Sequence, residues 1–273
     1  MSEIACVPPV RFRTRVERHE VVAEDAGILR LRTEGGAPRF APGQFLQFRP
    51  WEGDDPLLAR PFSILDQGSG WLSLLYQVLG RGTRRMQALR PGDSAVVVGP
   101  LGRPFPLPGR PGAALIVAGG VGIPPFLLLV RALVAQGRET VVLLGARDAA
   151  HLYLREELAA AGARVAVATE DGSAGRRGRV TLLLDEELAA RGPETVGAVY
   201  TCGPEPMMEA VVARAKEARV PGWASMERHM ACGYGVCFTC VLPLRSPEGG
   251  YRNRRTCLEG PVLAFQRLPP APW

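Results

Sequence analysis

The stretch VAGGVGIPPF, at residues 117–126, contains three glycines and two prolines directly after an apolar run. An apolar run enters it, glycines follow at Gly119, Gly120 and Gly122, and prolines open the next segment, where a missing backbone N–H costs nothing in a first helical turn. A strand, a glycine turn and a helix in this order are typical of a nucleotide-binding parallel sheet. The glycines let a pyrophosphate approach the backbone, and the helix N-terminus adds partial positive charge. Because the run is not a full G-x-G-x-x-G, packing alone is an alternative.

Around this stretch, residues 111–222 alternate apolar runs with amphipathic segments, including a helix expected over residues 124–135. Buried strands separated by helices predict a doubly wound parallel α/β domain. A second loop, TCGPEP, follows a later strand, so we expect it to face the glycine turn and to help hold one dinucleotide. Its residues of interest are Cys202, Gly203 and Pro204, with buried packing as the alternative for Cys202.

The strands between these two loops end in residues that give conflicting indications for NAD and NADP. Arg147 could accept a 2′-phosphate, whereas Glu170 or Asp171 could bind a 2′-hydroxyl and disfavour NADP. We favour NAD.

Residues 1–110 read as short strands punctuated by glycine and proline, which predicts an antiparallel barrel with one helix, over residues 83–89. The segment GRGT precedes that helix, and its N–H groups with Thr83 as cap would form an anion cradle. A second motif, RPFS, places a cation, a ring and a hydroxyl on one strand. The two motifs contribute Arg60, Pro61, Phe62, Ser63, Gly80, Gly82 and Thr83. Two phosphate sites on adjacent domains predict two dinucleotides, one flavin and one nicotinamide.

Residues 223–273 are dominated by thiols and predict a third, small domain. Four cysteines follow the spacing C-x4-C-x2-C, then sixteen residues and a last cysteine, which is the plant-type [2Fe–2S] pattern. The expected ligands are Cys232, Cys237, Cys240 and Cys257. Structural zinc is the alternative, although zinc favours paired C-x2-C spacings. Disulfides are disfavoured in a reducing compartment, and Cys6 is expected to be a tail thiol without a role.

Composition restricts the class of protein further. With 273 residues and 47% hydrophobic content the chain can bury a core in each domain. Its net charge of +6 comes from scattered arginines without a basic helix, which argues against nucleic-acid binding. The sequence has neither a signal peptide pattern nor a long apolar run, so we expect a soluble cytoplasmic protein that does not bind membranes.

The order of these motifs, ending in SMERHMACGYGVCFTC at residues 225–240, resembles the ferredoxin-NADP reductase superfamily and, within it, the electron-transfer subunits of class 1B dihydroorotate dehydrogenases. The resemblance covers essentially the whole chain. It implies that Arg60 and Ser63 contact FAD, that Phe62 lines the flavin, and that the Gly80 to Thr83 turn holds the pyrophosphate. It also implies that the glycine turn, Cys202 and Gly203 place the nicotinamide.

The resemblance further implies a catalytic partner subunit that contains FMN and oxidises dihydroorotate, in a heterotetramer that serves pyrimidine biosynthesis. Electrons would then pass through [2Fe–2S] and FAD to NAD⁺. His19, His151 and His229 are scattered and suit no acid–base role, so the pyrimidine chemistry is expected in the partner. One alternative is a subunit of an NAD(P)H-linked ferredoxin or sulfide oxidoreductase. Another is a non-catalytic iron–sulfur or zinc interaction module.

Overall fold

The computed structural model describes residues 8–273, so Cys6 lies outside the described residues. The first part of the described chain is a seven-stranded antiparallel sheet that curls into a half-barrel. Its strands are β1 Val10–Ala23, β2 Ala26–Thr33, β3 Phe45–Arg49, β4 Arg60–Ser63, β5 Asp66–Gly68, β6 Trp71–Gln77 and β7 Ser94–Leu101, in the order β4-β3-β7-β1-β2-β6-β5. Along β1, Phe12, Thr14 and Val16 alternate with exposed neighbours, so one face of the sheet closes on the barrel core.

The helix of the half-barrel, α1 Arg81–Gln87, begins and ends two residues earlier than predicted. The Thr83 hydroxyl accepts hydrogen bonds from the backbone N–H groups of Leu79 (2.9 Å) and Gly80 (3.1 Å). Thr83 therefore tightens the turn from inside the helix, and Gly80 occupies the cap position that the sequence analysis gave to Thr83.

The second sheet also has seven strands and is parallel except at one edge. Its strands are β8 Ala113–Gly119, β9 Thr140–Ala146, β10 Arg164–Thr169, β11 Arg176–Arg177, β12 Val196–Cys202, β13 Gly222–Ser225 and β16 Val262–Ala264, in the order β11-β10-β9-β8-β12-β13-β16. Every residue of β8 and β12 is buried, because apolar clusters cover both faces of the sheet. The predicted fold class, an antiparallel barrel beside a parallel α/β sheet, is confirmed.

Helices pack on both faces of this sheet. They are α2 Leu127–Ala135, α3 Arg155–Ala160, α4 Thr181–Arg191 and α5 Glu205–Glu217. The helix expected over residues 124–135 starts instead as a 3₁₀ turn at Pro124–Phe126, in which the N–H of Phe126 donates to the carbonyl of Ile123 at 3.1 Å. None of the helices within residues 8–273 is long and apolar enough to cross a bilayer.

The chain after β13 leaves the sheet, carries the thiols and returns to the sheet as β16, antiparallel to β13. Between them lie the thiol loop, a hairpin of β14 Val241–Arg245 and β15 Tyr251–Arg255, and the short helix α6 Thr256–Glu259. The weak periodicity of this segment hid these strands from sequence analysis. Because β13 and β16 are neighbours, the sheet anchors the thiol segment at both ends. The division of the chain at residues 110 and 222 stays a prediction.

The two halves share an apolar cluster, in which Leu65 and Leu75 of the half-barrel pack with Phe126 of the parallel half, and arginines add polar contacts. Arg131 of α2 forms an ion pair with Asp66 of β5. Arg138 donates hydrogen bonds to the carbonyls of Pro108 (2.8 Å) and Arg110 (2.9 Å) in the linker. The ion pair is partly exposed and contributes little, so the apolar cluster holds the two halves together.

Candidate functional site

The two motifs of the half-barrel come together at one cavity of about 420 Å³ on the cleft side. The cavity is lined by every residue predicted to hold the flavin: Arg60, Pro61, Phe62, Ser63, Gly80, Gly82 and Thr83. Strand β4 brings the first motif there by pairing with β3, and the start of α1 brings the second.

Arg60 lies directly against the GRGT turn. A Cβ atom on Gly82 would lie 2.8 Å from Arg60 Nε, so only glycine allows this approach. The guanidinium donates to the carbonyl of Leu58 and lies 5.7 Å from the centre of the Trp51 ring. A fixed cation beside exposed N–H groups of a turn is suited to a diphosphate.

A second and larger cavity, of about 1090 Å³, opens at the carboxyl ends of the parallel strands. Gly119, Gly120, Gly122, Gly203 and Pro204 all line it, which brings the two predicted nicotinamide loops together. A Cβ on Gly122 would lie 2.5 Å from the Cys202 carbonyl, and Gly203 has a φ of +149°. The glycines therefore let the ends of β8 and β12 touch.

Of the residues predicted to hold the flavin or to place the nicotinamide, Cys202 alone lines neither cavity. It is buried behind Gly203, with its thiol 4.0 Å from Oε1 of Glu227. Burial and the neighbouring Glu227 raise the pKa of the Cys202 thiol well above its ordinary value. The residue is held as a neutral thiol beneath the cavity floor.

The two cavities share a wall, which sequence analysis did not find. Gln77, Leu79, Val121, Glu227 and Arg228 line both of them. The side chain of Glu227 is exposed to the cavity space, and desolvation by the protein around it raises the pKa of its carboxyl. Molecules bound in the two cavities would meet at this wall.

The thiol loop, residues 232–240, lies between β13 and β14, and its three thiols form two pairs together with Cys257 of α6. The Cys237 sulfur accepts hydrogen bonds from the backbone N–H of Cys232 and from Thr239, which lowers the pKa of the Cys237 thiol to about 6. Cys240 and Cys257 are buried together, and burial followed by the adjacent Cys240 raises the pKa of Cys257. The backbone N–H of Val236 also points at the Cys232 sulfur, at 3.3 Å.

Several contacts hold this loop in its curved path. Gly233 and Gly235 have φ values of +80° and +92°, a region that favours glycine. Arg255 donates to the carbonyl of Gly235 and lies 4.4 Å from the centre of the Phe238 ring. The Thr256 hydroxyl donates to the carbonyl of Cys240 at 2.8 Å, which ties the third cysteine to the segment that carries the fourth.

The donor set fits a two-iron cluster. Across residues 8–273 no three His, Cys, Asp or Glu side chains converge on one point to hold a single metal ion. Two thiol pairs joined by one loop match a binuclear centre in which each iron takes two thiolates, and N–H groups directed at the sulfurs favour the ionised ligands.

The thiol site also borders the flavin cavity. Phe45 and Met230 line that cavity, and both pack in the apolar cluster that contains Leu101, Cys240 and Cys257. Phe45 lies opposite Ser63 in the β3–β4 pair, so the thiols and the flavin motif lie around the same strand. Three candidate sites are therefore contiguous: thiols, small cavity and large cavity.

Fold and site together define an oxidoreductase of the ferredoxin-reductase type with an added iron–sulfur domain. Residues 116–213 match the oxidoreductase NAD-binding domain, and residues 227–268 match the iron–sulfur cluster binding domain of dihydroorotate dehydrogenase B. The chain belongs to the family of electron transfer subunits of dihydroorotate dehydrogenase B.

This membership rests on sequence identity to curated relatives. The chain is 36% identical over 257 residues to the "dihydroorotate dehydrogenase B (NAD(+)), electron transfer subunit" of Geobacillus thermodenitrificans, covering 93% of this chain and 96% of the relative. The protein of the same name from Desulforamulus reducens is 39% identical over 224 residues, covering 81% and 84%. Membership confirms the predicted resemblance, the electron-transfer function and, at the level of the family, the cofactors FAD, [2Fe–2S] and NAD.

Solved structures agree on the fold. The NADH-dependent reduced ferredoxin-NADP oxidoreductase superposes with a TM-score of 0.81 at 26% identity, over 98% of this chain and 91% of that one. The ferredoxin reductase of carbazole 1,9a-dioxygenase superposes with a TM-score of 0.67 at 22% identity, over 78% and 67%.

Proposed function

We propose that this chain carries electrons from a catalytic partner that oxidises dihydroorotate, through a [2Fe–2S] cluster on Cys232, Cys237, Cys240 and Cys257 and through FAD, to NAD⁺. The observation that carries the proposal is the contiguity of the three sites: Phe45 and Met230 join the thiols to the small cavity, and the wall around Glu227 joins that cavity to the large one. When bound, the cluster passes single electrons and the flavin collects them in pairs for the nicotinamide.

The small cavity supplies the contacts that FAD needs. Arg60 provides the cation for its diphosphate, and the first backbone N–H groups of α1, at Arg81, Gly82 and Thr83, provide donors. Phe62 and Ser63 place an aromatic face and a hydroxyl along the same wall. Because β3 fixes β4 through its ladder, these groups are held in position before the ligand arrives.

The large cavity supplies a nicotinamide nucleotide site. Its glycine loops allow close approach of a pyrophosphate, and Glu227 presents a carboxyl at the wall that both cavities share. The positive charge of an oxidised nicotinamide ring bound beside it would favour the ionised form of this carboxyl and be attracted by it. Cys202 supports the floor from below as a neutral group.

At the adenosine end, the partners of Arg147, Glu170 and Asp171 favour NAD. Arg147 is already engaged by Asp148, at 3.4 Å, and by His151. Asp171 is engaged by the N–H and hydroxyl of Ser173 and does not line the cavity. Glu170 lines the cavity, and no ion pair or hydrogen bond to its carboxylate is found within residues 8–273.

Glu170→Gln is expected to weaken discrimination against NADPH. Removing the carboxylate relieves repulsion of a 2′-phosphate, which at a solvent-accessible site amounts to about 1 kcal/mol, or about fivefold in the ratio of kcat/KM for NADPH to that for NADH. Steady-state dye reduction by the two nucleotides measures this ratio. Asp171→Asn is the matched control and should leave it unchanged; a shift in the control but not in Glu170→Gln would contradict the assignment.

The partner face is the surface around the thiol loop. Tyr234, Val236, Phe238 and Leu258 expose apolar side chains around Cys237, which is itself exposed. Exposed apolar residues clustered at one site are typical of an interface. A partner seated there would bring its own redox centre close to the cluster. Two of the three histidines have side-chain partners elsewhere: His19 is bonded to Tyr76 and His151 to Asp148.

Binding to an FMN-containing dihydroorotate dehydrogenase catalytic subunit tests the proposed function. The mixed proteins are expected to form a heterotetramer in light scattering and to reduce NAD⁺ with dihydroorotate. Val236→Asp, at a side chain 71% exposed beside Cys237, should weaken the complex by about tenfold or more because it buries a charge. Val21→Asp, at a side chain 65% exposed on β1, is the control. Absence of any complex with the wild-type chain would contradict the proposal.

A further inference from the structure

Gln47 is a buried polar residue that the site described so far does not use. It lies on β3 with only 3% of its surface exposed. Leu46 and Phe48 point into the barrel core, so Phe45 and Gln47 occupy the opposite face of the strand. Phe45 packs against Cys240 and Cys257, and Gln47 lies beneath the start of the thiol loop.

The carboxamide of Gln47 touches the loop on both sides of the first ligand. Its Nε2 donates to the carbonyl of Ala231 at 3.4 Å. A Cβ atom on Gly233 would lie 2.5 Å from Nε2, so the loop backbone passes directly over the amide. The carbonyl of Ala231 also fixes the orientation of the Gln47 amide, because exchanging the amide oxygen and nitrogen would place two acceptor oxygens opposite each other. Cys232 is held between these two contacts.

The other end of the carboxamide is unsatisfied. Within residues 8–273, Oε1 of Gln47 is buried and has no hydrogen-bond partner. A buried glutamine in this state costs stability that an apolar side chain of the same shape would not, which points to a role beyond packing. The position of Gln47 on β3 indicates what this role is. Gln47 pairs with Pro61 of the flavin motif and so lies between the two redox sites.

We propose that Gln47 is a positioning residue of the iron–sulfur centre, whose amide N–H holds the Cys232 end of the loop on β3 and raises the electron affinity of the centre. The inference rests on the proposed function. Hydrogen-bond donors and amide dipoles facing a cluster stabilise its reduced, more negative state, and they act strongly in a water-poor site. The contact between Gln47 and the thiol loop also fixes the separation between the cluster and the flavin motif, because the loop rests on β3 and the flavin motif lies on β4, which pairs with β3.

Gln47→Met tests this, since it keeps the length of the side chain and removes the amide. With FAD and iron contents measured first, the cluster of the variant is expected to be about tenfold harder to reduce in an EPR-monitored titration, which is about 59 mV for one electron. Its EPR line shape should also change. Gln47→Glu keeps the shape of the side chain and adds negative charge, so it should lower the electron affinity of the cluster at least as much as Gln47→Met does.

Gln44→Met is the matched control. Gln44 is also buried and three residues away, but it accepts from the N–H of Ala41 at 2.8 Å, donates to the carbonyl of Gly102 at 3.0 Å and does not touch the loop. It should leave the potential and the EPR spectrum as in the wild type. Loss of iron with retained FAD in Gln47→Met, but not in Gln44→Met, would also support the proposal that Gln47 holds the Cys232 end of the loop.

The inference is overturned if Gln47→Met keeps its iron with the wild-type potential and line shape, or if Gln44→Met shifts both equally. A wild-type protein that binds FAD but no iron would overturn the proposed function itself. Iron and flavin analysis of the wild type therefore separates the two failures.

Discussion

Cys237→Ser is expected to remove the iron–sulfur cluster and leave FAD bound. Cys237 is the exposed member of the quartet, and hydrogen bonds from the Cys232 N–H and Thr239 lower the pKa of its thiol to about 6, which favours the thiolate that iron binds. A serine hydroxyl has no comparable anionic form at neutral pH. We expect a larger loss than the about 10–100-fold in affinity that follows removal of an outer-shell partner. Electron flow from the catalytic subunit should fall to background.

Iron analysis and the visible spectrum measure this outcome directly. Cys202→Ser is the control, because that thiol is buried at the end of β12 and belongs to no pair in the loop. It should keep a full cluster. If Cys237→Ser retained its iron and cluster spectrum, the ligand assignment would be wrong, and if both variants lost iron the effect would lie in folding.

Arg60→Ala is expected to lose FAD and keep the cluster. Arg60 lies against Gly82 in the cavity that both flavin motifs line, so its removal leaves the diphosphate of the flavin without its cation. A hydrogen bond to a charged group contributes about 1.5–3 kcal/mol, which corresponds to a roughly 10- to 150-fold weaker affinity. Titration of the flavin-free protein with FAD, followed by fluorescence, gives the affinity.

Arg84→Ala is the control for this change. Arg84 lies on the exposed side of α1, one turn from the cavity, and does not line it. The variant should bind FAD as the wild type does. Unchanged FAD affinity in Arg60→Ala would contradict the role of the arginine, and equal loss in both variants would indicate a general effect of positive charge.

The sequence could predict those parts of the molecule whose physical cause is local. The strand, glycine turn and prolines at residues 117–126 are read in one short stretch, and the spacing of the four cysteines reflects how one loop must wrap two irons. The bounds of α1 were wrong by two residues because Thr83 bonds back to Leu79 and Gly80, a choice of turn that spacing does not reveal.

The missed residues owe their positions to contacts between distant segments. Glu227 faces two cavities only because β13 lies beside β12 in the sheet. Gln47 meets Gly233 only because the tail folds back over the barrel, and nothing in the alternation of β3 marks which of its faces will be covered. The strands β13 and β16 pair across the whole thiol segment, so a scan of local periodicity could not join them.

The central claim is that the thiol quartet holds two irons within electron-transfer reach of a flavin that exchanges electrons with NAD. The most direct measurement is the visible and EPR spectrum of the anaerobically purified chain, with metal and flavin analysis, before and after NADH. We predict two irons and one FAD per chain, bleaching of the flavin, and the EPR signal of a reduced [2Fe–2S] cluster once NADH is added. Zinc in place of iron, or a cluster that stays oxidised while NADH reduces the flavin, would contradict the account.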